Sequence, residues 1–76
     1  MPADQPPWIL DARNRAGRRI HARRMHQNLT QEQLRELTGI SVDTIQRIEG
    51  GHSDPRFSHL LRIARALDVH VTELLE

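Results

Sequence analysis

The stretch LTQEQLRELTGISVDTIQRIEGG, residues 29–51, decides the fold. Thr30 is followed three residues later by Gln33. That is the spacing of a capping box, in which each of the two side chains satisfies a backbone N–H that a helix start leaves free. Leu29, just before, is placed to act as a hydrophobic staple. Leu34 and Leu37, with Thr38 beside them, fall on one face, and Gly39 supplies the left-handed residue that ends a helix. Ile40 and Ser41 complete a turn, with Ser41 as N-cap of a second helix from Val42 to Glu49. Gly50-Gly51 stops it. Two short helices joined by a tight glycine turn read as a helix-turn-helix.

In the second helix Ile45, Ile48 and Glu49 point inward, and Val42, Asp43, Gln46 and Arg47 point outward. That outward face suits the major groove of DNA, which is about 12 Å wide and admits one helix. Arginine grips guanine, glutamine pairs with adenine, aspartate accepts from cytosine and valine packs on a thymine methyl. Taken alone the motif is weak, since many helical bundles contain a glycine turn between two helices.

Working outward, residues 1–10 read as a flexible arm, with three prolines by position 8. A first helix is expected from about Asp11, as N-cap, to Gln27, with Asn28 at the left-handed position after its end. Ala16, Gly17, Ile20, Arg24 and Gln27 share one face of it. Arg24 therefore turns inward, which is expensive without an acidic partner. Residues 50–56, GGHSDPR, form a loop of turn formers. A fourth helix covers about Phe57–Asp68, with Leu60, Leu61, Ile63, Ala64 and Leu67 at helical spacing. Asp68 stands where a glycine usually ends the helix. A fifth, short helix follows from Thr72, which is placed to cap it, and Leu74 and Leu75 close the core. No segment alternates with period two, so no sheet is expected.

Composition narrows the function classes. The chain has 76 residues and no cysteine, so one small domain without disulfide staples or Cys-ligated zinc is expected. Aromatic content of 3% is too low for base-stacking platforms. No apolar run spans a membrane and MPADQPPW lacks the make-up of an export signal, so a cytoplasmic location is expected. All 11 basic residues are arginine, and six of them (Arg13, Arg15, Arg18, Arg19, Arg23, Arg24) fall within 12 positions without an acid among them. They make either a solvated helix face or a set of phosphate contacts.

The segment 29–51, continued by DPRF and LLRIARALDVHVTELL, resembles the Cro/phage-repressor (XRE) helix-turn-helix family over residues 17–75. The resemblance implies an all-α, compact five-helix lambda-repressor-like fold over residues 11–76. It implies that Val42, Asp43, Gln46 and Arg47 read bases of double-stranded DNA. Gln31, Thr44, His52, Ser53 and Arg56 are implied at the DNA backbone, with Gln31 either touching phosphate or bracing the reader. Arg24 and Glu49 are implied as a buried ion pair joining the first helix to the third. Family members usually bind as two-fold dimers, so a weak homodimer through the loop after the third helix and the C-terminal helix is expected. The function implied is a transcriptional regulator, a repressor. The alternative is an antitoxin or restriction-modification controller that also binds a protein partner through the N-terminal arm.

Three residues depart from the family pattern. Arg35 stands where a small residue is usual, and either snorkels outward or reaches phosphate. Asp43 accepts from cytosine, discriminates against other sites, or points away from the bases. Asp54 places an acid in a loop that is often basic. Trp8, beside Ile9 and Leu10, is expected to anchor the arm on the bundle rather than to serve as an interface anchor. Metal binding is not expected. His21 and His26 are five apart rather than four, and His52, His59 and His70 have no ligand spacing. No enzyme is expected either. The chain lacks a phosphate-binding glycine loop and has little room for a substrate pocket of ~300 Å³. With only an arm outside this unit, any regulating signal is expected to act through a partner, abundance or proteolysis.

Overall fold

The structure, a computed structural model, describes residues 5–76. Its element order is α1 (Pro7–His26), α2 (Gln31–Thr38), α3 (Val42–Glu49), α4 (Phe57–Ala66) and α5 (Val71–Leu75), all helical. α1 begins four residues before the expected Asp11. Pro7 occupies the first helical position, where the missing N–H costs nothing and the fixed φ is already helical. Asp11 is thus inside the helix rather than its cap, and residues 7–10 of the expected arm are helical. Residues 1–4 of that arm lie outside the described residues.

The ends of the helices follow local chemistry. Thr30 and Gln33 form the reciprocal capping box, with Gln33 N–H donating to Thr30 Oγ1 at 3.0 Å and Thr30 N–H to Gln33 Oε1 at 2.8 Å. Leu29 packs against the core beside it. Ser41 Oγ accepts from Thr44 N–H at 3.2 Å and caps α3. Gly39 is left-handed, with φ 76°, and its N–H donates to the Arg35 carbonyl. Asn28 and Asp68 both sit at φ 57°. Each follows its helix with the paired bonds of a Schellman ending: Leu29 N–H to Arg24 and Asn28 N–H to Met25, then Val69 N–H to Ala64 and Asp68 N–H to Arg65. Asp68 therefore does close α4 as glycine would, and the helix stops at Ala66 rather than at Asp68. α5 starts one residue before Thr72. His70 precedes it, and its N–H donates to Glu73 Oε2 at 2.9 Å, so Thr72 is not the cap.

Ile20, Leu34, Ile40, Ile45, Ile48, Leu60, Ile63, Ala64, Leu67 and Leu74 form one core to which every helix contributes. Three leucines expected inside face solvent: Leu37 is 60% exposed, Leu61 44% and Leu75 50%. On short helices the buried stripe is one or two residues wide. Leu34 with Thr38, Leu60 with Ile63, and Leu74 fill it. Gln27 is likewise exposed, although its amide donates to the Leu67 carbonyl and ties α1 to the end of α4. Trp8 is 70% exposed and anchors nothing, because Ile9 and Leu10 take the half-buried side of that turn. α1 meets α3 by backbone contact. A Cβ on Gly17 would lie 2.7 Å from the Glu49 carbonyl oxygen and closer still to that of Ile48.

Candidate nucleic-acid interface

The outward face of α3 is built on a brace. Arg24 Nε donates to Glu49 Oε2 at 2.7 Å and its Nη2 to Oε1 at 2.9 Å, a bidentate pair between α1 and α3. The two side chains are 8% and 5% exposed. Arg24 Nη1 also donates to the Leu29 carbonyl at 2.7 Å. Glu49 Oε1 lies 2.9 Å from His21 Nδ1 and accepts from Gln31 Nε2 at 3.3 Å. Burial pushes the Glu49 carboxyl up, but hydrogen bonds from Arg24 and His21, the Arg24 charge and the Gln31 bond outweigh it, so it stays below the ordinary carboxylate range. The hydrogen bond to Glu49 raises Arg24 in turn, against burial. The predicted ion pair is therefore present, and it joins three helices. Gln31 has its amide on this brace. Of its two expected roles, the geometry gives it the bracing one.

Held this way, α3 turns Ile45 and Ile48 inward. Asp43, Gln46 and Arg47 are exposed and Val42 is half-buried beside them. None of the three polar side chains hydrogen-bonds to another described residue. They are free to meet a ligand without first losing an internal partner.

The expected backbone residues are only partly brought together. Thr44, Arg47, Ser53 and Arg56 line one concavity of about 240 Å³ between α3 and the start of α4, with Asp54, Pro55 and His59. His59 was not singled out from sequence. Its position three residues beyond Arg56 on α4 was the available signal. Thr44 is partly engaged by Ser41, whose hydroxyl donates to its Oγ1 at 2.9 Å. His52 stands outside this group. Its backbone N–H caps α3 by donating to the Arg47 carbonyl at 2.8 Å, and its ring lies against Gly50. Asp54 places an acidic side chain in the concavity and accepts from Gln5 Nε2 at 3.3 Å.

Four of the six arginines in the block between Arg13 and Arg24 have partners within the domain. Arg24 is in the brace, Arg13 Nε donates to the Gly51 carbonyl, Arg23 pairs with Glu73 at 3.2 Å, and Arg19 donates to the Glu76 carbonyl. Arg15, Arg18 and Arg19 are exposed on the side of α1 opposite Gly17 and Ile20. A concavity of about 370 Å³ opens there between α1 and α5, larger than the length of the chain led one to expect. It is lined by Arg19, Ala22, Arg23, His26, Glu73 and Glu76, and its Arg23–Glu73 pair crosses from one helix to the other. Arg35 snorkels outward and pairs with Glu32 at 2.9 Å.

A helix-turn-helix family model matches residues 20–74. The chain is 37% identical over 60 residues to an uncharacterized HTH-type transcriptional regulator, y4aM, of Sinorhizobium fredii. That match covers 79% of the chain, and the chain spans 42% of that relative's length. The crystal structure of the restriction-modification controller protein C.AhdI from Aeromonas hydrophila superposes with a TM-score of 0.79 at 30% identity, over 84% of this chain and 96% of that one. The family model spans most of the chain, and the five-helix fold is that of the superposed controller protein: the chain belongs to the helix-turn-helix family of DNA-binding regulators.

Proposed function

We propose that the domain is a sequence-specific regulator of transcription that inserts α3 into the major groove of double-stranded DNA and acts as a repressor. The observation that carries this reading is the outward face of α3. Asp43, Gln46 and Arg47 stand there uncommitted, on a helix fixed from behind by the Arg24–Glu49 pair. Arg47 grips guanine and Gln46 adenine, with Val42 against a thymine methyl. Arg56, Ser53 and Thr44 take phosphate and set the register, in which His59 joins them. The domain works by binding, in the cytoplasm, with no catalytic step. Titration of a mixed-sequence duplex at rising salt tests it. Affinity is expected to fall steeply with salt as counterions are released, and to weaken in Arg47→Ala. A flat salt dependence contradicts it.

One unit reads too few base pairs to address a genome, so two copies are expected to bind half-sites about 34 Å apart. Exposed Phe57, Leu61 and Leu75 on α4 and α5 support a weak homodimer there. Sedimentation of the domain on operator DNA checks this, and a single copy per site contradicts it. A second reading adds a protein partner, as for an antitoxin or a controller, and the exposure of Trp8 favours it. Trp8 is the only tryptophan in the chain, so a blue shift of its fluorescence on mixing reports such a partner directly.

A further inference from the structure

The loop that follows α3 carries Ser53 and Arg56, and one peptide unit decides how it leaves the helix. Gly51 has φ 73° and is buried. Its N–H donates to the Ile48 carbonyl at 3.1 Å and the next N–H, of His52, to the Arg47 carbonyl at 2.8 Å. The carbonyl of that same Gly51–His52 peptide accepts from Arg13 Nε at 3.0 Å. Both polar ends of the unit are thus held, one by the recognition helix and one by α1.

The hold reaches across 38 positions of sequence, and it does not stand alone. The Asn14 side chain closes over Gly51. A Cβ there would collide with its Oδ1 and lie 3.0 Å from its Cγ. Gln5 Nε2 reaches Asp54 Oδ2 at 3.3 Å further along the loop. Ile9, Ala12 and Ala16 of α1 border one groove with Asp54 and Pro55. The first half of α1, which sequence reading assigned in part to a flexible arm, lies along the loop.

We infer that Arg13 is a positioning residue for DNA binding: by fixing the Gly51–His52 peptide it sets the angle at which the loop presents Ser53 and Arg56 to the phosphate backbone. This rests on the DNA-reading function proposed above. Its guanidinium is partly buried on the loop carbonyl, so Arg13 acts through the loop and not as a phosphate contact of its own.

Binding of a selected duplex by wild type, Arg13→Met, Arg56→Ala and the double variant, below their melting temperatures, tests the inference. Arg13→Met keeps the apolar stem and removes the donor. If it misplaces one phosphate contact, affinity falls about eightfold at 0.1 M salt and the salt slope drops by about 1, with base preference unchanged. In the Arg56→Ala background the same change has little further effect, and amide exchange at His52 is faster in Arg13→Met than in wild type. Full additivity with Arg56→Ala overturns the inference, because Arg13 is then an independent contact. Loss of binding in Arg56→Ala alone, with Arg13→Met like wild type, also overturns it and leaves the DNA reading intact. Unchanged binding in Arg47→Ala and Arg56→Ala alike removes the DNA reading itself. If Arg13→Met does not fold, Arg13→Lys, which keeps a donor on a long stem, carries the test. It should bind within about twofold of wild type and protect the His52 amide equally, and unprotected His52 with full binding refutes the positioning role.

Discussion

Replacing Glu49 by alanine probes the joint on which α3 is mounted. The carboxylate is 5% exposed and accepts both donors of the Arg24 fork as well as Gln31 Nε2. Its removal leaves Arg24, 8% exposed, with the Leu29 carbonyl as its remaining oxygen partner. Breaking a buried pair from one side costs about 3–5 kcal/mol, because the other charge stays buried without compensation. A domain of 76 residues has a total stability of about 4–11 kcal/mol at the usual value per residue, so this loss is a large fraction of the whole. At about 4 °C or more per kcal/mol, the melting temperature should fall by at least about 12 °C. Circular dichroism melts at pH 7 measure it. Replacing both partners, Arg24→Met with Glu49→Leu, should recover most of the loss, since a buried pair exchanged for apolar groups is often neutral. An alanine variant melting within about 3 °C of wild type would refute the reasoning, since 1 kcal/mol alone should shift the melt by ~4–8 °C.

The same carboxylate fixes the sign of the acid response. Its value is held below the ordinary 4.5, so its stabilising contribution is present above that pH and is lost as pH falls through the lower, folded value. Urea titrations over that window should show wild type losing stability on acidification and Glu49→Gln losing less of it. Gly17→Ala should destabilise despite alanine's better helix propensity, by about 1–3 kcal/mol. Its methyl meets the Ile48 and Glu49 carbonyls, which are backbone and cannot turn aside, and a melt reads the loss. Arg47→Ala should cost about 1–3 kcal/mol of DNA affinity and relax specificity at one position, while leaving the melt unchanged. Leu61→Asp, at an exposed α4 position, should leave the fold intact and shift sedimentation on operator DNA from two bound copies toward one.

The parts legible in the sequence were those governed by chemistry within a few residues. Thr30 with Gln33, Gly39 and Ser41 fixed the motif because caps and left-handed turns have local signatures. Arg24 was legible for another reason. A charge on an apolar stripe demands a partner, and the family pattern named Glu49. The start of α1 was misplaced because three prolines look like an arm, whereas Pro7 opens a helix as readily as it breaks one. The fates of Arg13, Arg19 and Arg23 were not legible. Their partners lie on the loop after α3, on α5 and at Glu76 just past its end, at separations that no spacing rule sees. Leu37, Leu61 and Leu75 share that limit, since periodicity marks a face but the packed neighbours set its width.

Base reading by the outward face of α3 is the property on which the proposed function turns. Selection of bound duplexes from a random pool, run in parallel for wild type and Arg47→Ala, tests it most directly. Wild type should enrich a short motif, repeated with two-fold symmetry about one helical turn apart. Arg47→Ala should lose information at one position of each half-site and keep the rest. A pool that wild type leaves unenriched, or a motif that Arg47→Ala selects unchanged, contradicts the account.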